Sequence, residues 1–235
     1  MNHIQTENYA ALSKKAALII AGQILSKPGS VLGFATGSTP VGTYEELIRL
    51  YKEGAVDFGR VTTYNLDEYY GVPRTDPNSY YAFMHTNLFD HINIEDGATH
   101  LPNGSAADPV AESIAYEAKI KAAGGVDLQV LGIGNNGHIG FNEPDDHFPA
   151  VTHHVQLTDS TIDANSRFYA SRDEVPKSAL TMGIGTIMAA KKILLLISGT
   201  AKKEIMEKAL YGPVTPQVPA SILQFHNDVT VITDF

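Results

Sequence analysis

Val130 to Pro144 reads VLGIGNNGHIGFNEP. An apolar run from Val126 to Ile133, interrupted by Asp127 and Gln129, stops at Gly134 and gives way to Asn135, Asn136, Gly137 and His138. After Ile139-Gly140-Phe141 come Asn142, Glu143 and Pro144. A short apolar run closed by glycine reads as a buried strand. Here it empties into a turn carrying an imidazole, a carboxamide and a carboxylate. In an open parallel sheet, ligands bind outside the carboxyl ends of the strands, so this turn is a candidate site. Asn136 and Glu143 are placed to orient His138 and fix its proton, as a general acid–base histidine requires. The plainer alternative is a Gly/Asn turn with a surface histidine.

Working outward, the same pattern recurs. Val31 to Ala35 is a short apolar strand, followed by Thr36-Gly37-Ser38-Thr39-Pro40 and a helical stretch from Val41 to Lys52. Strand, Gly/Ser/Thr turn and proline at a helix start together predict an anion site, with free N–H groups and the helix dipole converging on one spot. An ordinary N-cap explains the hydroxyls equally well. Val61 to Leu66 is the next strand, with Asp67-Glu68 at its carboxyl end. No helix begins until Tyr80, so Asp67 has no evident capping duty and becomes a candidate general base. Glu68 points to the opposite side of an extended chain. Lys192 to Ile197 is a buried strand, and Ser198-Gly199-Thr200-Ala201-Lys202 opens the following helix, where Lys202 can reach an anchored phosphate. Further helices are predicted over Asn8–Leu25, Tyr80–Leu88 and Pro109–Ala123, and a last strand over Val229–Thr233. This order predicts a single-domain, doubly wound α/β fold over residues 1–235, with a mostly parallel sheet and helices on both faces.

His147 to Arg167 has no strong period before Leu157 and is expected to form a lid, around residues 145–170. Arg167 would bring a guanidinium suited to two-pronged phosphate binding. His153-His154 invite a metal, but neighbours on an extended chain point apart and no third ligand stands at a metal spacing. No metal or cofactor is expected.

Composition narrows the classes. With 235 residues, 43% of them hydrophobic, the chain can bury a full core. Its formal net charge of -9 argues against a nucleic-acid or anionic-membrane partner. A phosphate-bearing small molecule remains compatible, since a helix N-terminus binds anions locally. The absence of cysteine excludes thiol catalysis, disulfides and Cys-based metal sites, and suits a cytoplasmic protein. No signal-peptide order and no membrane-length apolar run are present, so the expectation is a soluble protein.

The segments GFATGSTP (33–40), YNLDEYYGVP (64–73), LGIGNNGHIGFNEP (131–144), ANSRF (164–168) and SGTAK (198–202) occur in that order. Together they resemble the glucosamine-6-phosphate deaminase family, through nearly the whole chain. The resemblance implies a modified Rossmann-type fold and conversion of glucosamine 6-phosphate and water to fructose 6-phosphate and ammonia. It implies Asp67 as the base that moves a proton from carbon 2 to carbon 1. His138 would be the ring opener, tuned and oriented by Asn136 and Glu143. Thr36, Gly37, Ser38, Arg167 and Lys202 match the family's phosphate contacts, and Thr39 belongs to the same turn. Two departures stand out. Many members carry aspartate where Asn136 stands, which predicts a shifted pH profile. The larger, hexameric, allosteric members continue beyond the position of Phe235 and have a basic loop where this chain reads Asp145-Asp146-His147. A non-cooperative monomer or low-order homo-oligomer is therefore expected. Two rival readings are a 6-phosphogluconolactonase-type hydrolase, which Asn142-Glu143-Pro144 and Leu66 to Tyr70 fit less well, and a non-catalytic sugar-phosphate sensor.

Overall fold

Hydrophobic patterning along the strands builds the molecule in three layers. The computed structural model describes residues 1–235 apart from the side chains of Ala164 and Phe168, the two ends of the ANSRF stretch. Seven strands form the central sheet: β1 (Asn2–Gln5), β2 (Val31–Phe34), β3 (Thr62–Asn65), β5 (Thr99–His100), β6 (Leu128–Leu131), β9 (Ile193–Ile197) and β10 (Val229–Thr233). Their spatial order is β1-β10-β9-β6-β2-β3-β5, and each pairing is parallel. Along β9, Ile193, Leu195 and Ile197 face one apolar cluster while Leu194 and Leu196 face the other. That two-sided burial is why a parallel strand reads as an unbroken apolar run.

One face is covered by α1 (Tyr9–Ser26), α2 (Val41–Lys52) and α3 (Tyr80–Asn87). The other is covered by α4 (Pro109–Ala122), α6 (Ile184–Met188) and α7 (Lys203–Tyr211). Local sequence sets the helix ends. Asn8 accepts from the Ala11 N–H to start α1, and Asp108 accepts from Val110 and Ala111 to start α4. At the amino end of the sheet, buried Asp127 binds Lys27 (2.6 Å), Lys191 (2.7 Å) and the Val31 N–H (2.8 Å). The opposite edge is thus left for chemistry.

Strand progression reverses between β2 and β6. From β2 the chain proceeds to β3 and β5 on one side, and from β6 to β9 and β10 on the other. This is the switch point, where open α/β sheets form their binding crevice. The four strands with chemically loaded ends, β9, β6, β2 and β3, are consecutive neighbours there.

A second, antiparallel sheet of order β4-β8-β7 departs from the expected single sheet. It comprises β4 (Asp67–Tyr69), β7 (His153–Gln156) and β8 (Ser178–Thr181). The chain leaves the parallel sheet at Leu66, whose carbonyl accepts from Met182 N–H (2.7 Å), and Asp67 then pairs with Thr181. Packed with this small sheet is a third apolar cluster that includes Tyr69, Phe141, Leu157 and Ile162. After β7 come α5 (Asp159–Asn165) and a short turn at Ser166–Phe168. Among the described residues, no helix is long and apolar enough to cross a membrane.

Candidate active site at the sheet switch point

Two buried tyrosines, one from each helical layer, hold the strand ends that lead into the site. Tyr44 of α2 donates to Ala35 O (2.5 Å), just before Thr36. Tyr116 of α4 donates to Asn65 O (2.7 Å), two residues before Asp67. Each satisfies a carbonyl at the end of the parallel ladder, which a buried backbone demands.

These strand ends open into a cavity of about 460 Å³. Thr36, Gly37, Ser38 and Thr39 line one side, and Arg167 and Lys202 line it as well. Asp67 and His138 reach the same space. The sequence-derived candidates therefore converge, except Asn136 and Glu143, which stand behind His138.

Asp67 is 6% exposed. Burial pushes its carboxyl up to about 8, with the neighbouring Glu68 charge adding to the effect. Glu68, on the opposite side of β4, accepts the N–H groups of Tyr69 (2.9 Å), Tyr80 (2.8 Å) and Tyr81 (2.9 Å). It thus caps α3 from a distant strand, a role the sequence does not show because the helix starts far downstream. Burial raises Glu68 to about 7 even though those three N–H groups pull the other way.

The glycine turn after β6 brings His138 against its partners. Asn136 Nδ2 donates to Glu143 Oε2 (2.6 Å), because a carboxylate only accepts. Asn136 Oδ1 therefore faces His138 Nδ1 at 2.7 Å. An amide oxygen cannot donate, so Nδ1 carries the hydrogen and Nε2 is the nitrogen left for chemistry. Glu143 Oε2 lies 3.4 Å from the same Nδ1. Thr161 of α5 donates to Glu143 Oε1. Burial would raise Glu143, but His138, Thr161 and Asn136 together hold it down to about 2. Gly134 is required by close approach, since any Cβ there would overlap the His138 ring. The turn is tied to Asp67's own ladder through Thr181, whose hydroxyl accepts the Phe141 N–H (3.0 Å).

On the cradle side, α2 begins after Pro40 with no side-chain cap from that residue, leaving first-turn N–H groups for other partners. Lys202 donates to Ile133 O (2.8 Å). Burial lowers its pKa, and the Arg167 guanidinium nearby lowers it further. Two cations facing one partly desolvated space are stabilised by an anion between them. The turn that presents Lys202 is itself held by Asp234, which accepts from Ser198 Oγ (2.5 Å) and Gly199 N (2.7 Å). Thr161 and Asp234 carry no sequence signal, because each acts through contacts distant along the chain.

His153 and His154 do point apart. His153 Nδ1 reaches Val151 O (2.9 Å), whereas His154 packs on Tyr70 with ring centroids 4.8 Å apart. Among the described residues, exposed Asp145, Asp146 and His147 bring three donor groups together, with His147 Nδ1 on Asp146 at 2.7 Å.

The fold and cavity define a doubly wound α/β protein with a Gly/Ser/Thr turn, two cations, a buried carboxylate and an oriented imidazole around one switch-point crevice. The chain belongs to the glucosamine-6-phosphate isomerase/6-phosphogluconolactonase family, whose profile matches residues 5–232. A protein named glucosamine-6-phosphate deaminase from Lachnoclostridium phytofermentans is 57% identical over 235 residues, covering 100% of both chains. One of the same name from Alkaliphilus oremlandii is 56% identical over 232 residues, covering 99% of this chain and 96% of that one. A solved structure described as a monomeric glucosamine-6-phosphate deaminase superposes with a TM-score of 0.97 at 48% identity, covering 99% of this chain and 97% of that chain. A 6-phosphogluconolactonase from Thermotoga maritima shares the fold, with a TM-score of 0.77 at 20% identity, covering 99% and 98% of the two chains.

Proposed function

We propose that the protein deaminates glucosamine 6-phosphate to fructose 6-phosphate, with water consumed and ammonia released. The observation that carries this reading is the buried Asp67 carboxylate facing the same cavity as His138 and the anion cradle. Thr36 to Thr39, Arg167 and Lys202 bind the phosphate and fix the sugar's register. His138 takes the proton of the anomeric hydroxyl and delivers one to the ring oxygen, opening the pyranose, while the Glu143 carboxylate steadies the charged imidazole through Asn136. Asp67 then removes the proton on carbon 2, giving an enolamine, and returns it to carbon 1. The resulting imine takes up water at carbon 2 and expels ammonia. A carboxylate raised to about 8 is a stronger base than an exposed one and stays close to working pH, as general base catalysis favours. Proton transfers and water suffice, so the reading calls for no cofactor.

Residues 145–170 act as a lid in this scheme, since Thr161, Asn165 and Arg167 line the cavity from that segment. The acidic run Asp145-Asp146 offers no cation to an activator phosphate, which favours hyperbolic kinetics. The proposal is completed by a monomer or low-order oligomer working in the cytoplasm. The test is direct: native protein supplied with glucosamine 6-phosphate, without added metal or cofactor, forms ammonia and fructose 6-phosphate in equal amounts. Hydrolysis of 6-phosphogluconolactone without ammonia release would replace the reading by a lactonase. Tight binding without turnover would replace it by a sensor.

Asn136 makes a second prediction. Asn136→Asp places a carboxylate against His138 Nδ1, favouring the charged ring. The limb of the pH–rate curve governed by the imidazole moves to higher pH than in the native enzyme. Superimposable curves for the two proteins would show that Asn136 does not tune His138.

A further inference from the structure

Tyr9 is the first residue of α1 and is 37% exposed, yet its hydroxyl is surrounded by backbone atoms of the cradle. It lies 3.1 Å from Ser38 O and 3.1 Å from Thr39 O, and it accepts the Gly42 N–H at 2.8 Å. A phenol has one proton, so the two carbonyls share it, and a lone pair receives Gly42. Gly42 is in the first turn of α2, whose early N–H groups have no partner within the helix. Tyr9 therefore caps α2 from another helix, where Pro40 offers no side-chain cap.

Two further facts make the contact specific. A Cβ on Gly42 would come within 2.5 Å of Ser13 Oγ and 3.0 Å of Tyr9 Cε1, so only glycine lets α1 approach closely enough. In a planar trans peptide the carbonyl of Ser38 and the N–H of Thr39 point in opposite directions. With Ser38 O held against α1, the Thr39 N–H is turned away from α1.

We infer that Tyr9 is a positioning residue for phosphate binding: its hydroxyl locks the Ser38–Thr39 peptide so that the cradle's N–H is pre-set for the anion. The inference rests on the cradle assigned under the proposed function, but not on the chemistry of deamination. Tyr9 is not among the residues lining the cavity shared by Asp67 and His138. It acts by holding the Ser38–Thr39 backbone, and pre-organisation of this kind acts on affinity.

The test is Tyr9→Phe, which keeps the ring against Gly42 and deletes only the hydroxyl. Binding of inorganic phosphate is measured by calorimetry, and steady-state kinetics are run with glucosamine 6-phosphate. The dissociation constant for phosphate is expected to rise about 3- to 10-fold, the range of one lost hydrogen bond. KM should rise by a similar factor with kcat within about twofold, the pattern of lost uniform binding. Unchanged phosphate affinity overturns the inference, as does a fall in kcat at constant KM, or a native protein that binds no phosphate. The two readings fail separately. Weakened phosphate binding in a protein that releases no ammonia would sink deamination and keep Tyr9's role, while ammonia release with unaltered phosphate affinity would do the reverse. Amide exchange at Thr39 and Gly42, faster in the variant than in the native protein, gives a second readout independent of turnover; equal exchange would count against the lock.

Discussion

Asp67→Asn should reduce kcat for glucosamine 6-phosphate by about 10²- to 10⁴-fold, the usual contribution of a positioned general base. KM should move little, because the phosphate side of the cavity is untouched. Asparagine keeps the shape of the side chain and deletes only its proton affinity. The same substitution should stabilise the fold in a pH-dependent way. Burial raises the Asp67 carboxyl to about 8 in the folded protein, whereas an unfolded aspartate ionises near about pH 4. Between those limits the folded state binds the extra proton. A folded pKa raised in an acid means stability falls as pH rises through that window. Asparagine has no proton to lose, so the variant's melting temperature should gain on the native protein's progressively from about pH 4 to about pH 8. A variant that is inactive but shows a constant difference in melting temperature would mean that Asp67 is not a buried, proton-holding group. Retained turnover would remove it from the base position altogether.

The pairing of low activity with gained stability is what a buried functional carboxylate implies. Local signals suffice where one stretch forms one element. Ile193 to Ile197 is legible as a strand because burial from both sides writes itself as an apolar run, and Val229 to Thr233 because it is rich in β-branched residues. The ends of β2, β3, β6 and β9 are recognisable for their polar cargo, and the fold makes them neighbours. What stays hidden is created by pairing at a distance. β4 is three residues long and looks like the tail of β3 until β8 supplies its ladder. β7 belongs to the small sheet rather than the main core and is only partly buried, so its sequence carries no clear alternation. Glu68 reads as half of an acid pair, yet it serves a helix that begins at Tyr80. Tyr9 reads as one more apolar position on the stripe of α1, and its hydroxyl matters only because α2 lies alongside. Periodicity reports burial against a surface, and carries nothing about which distant backbone atom a side chain will meet.

His138→Gln should lower kcat/KM for glucosamine 6-phosphate by about 10²- to 10⁴-fold, since the ring can then open only at its uncatalysed rate. The mechanism predicts where this loss disappears. An analogue lacking the hydroxyls on carbons 4 and 5 cannot cyclise, so it arrives already open and needs only the base. On that analogue, native protein and His138→Gln should differ by less than about tenfold, while Asp67→Asn stays inactive. The division follows from the geometry: Asn136 Oδ1 at 2.7 Å takes up the Nδ1 hydrogen of His138, leaving Nε2 as the one ring nitrogen able to exchange a proton with the substrate. Glu143 keeps its charge throughout the working range because it is held at about 2. Its stabilising contribution is therefore present above the ordinary glutamate value and lost only as pH falls from about 4 towards 2. Equal losses on the cyclic substrate and the open analogue would place His138 in the proton transfer between carbons 2 and 1, and would leave ring opening to another group.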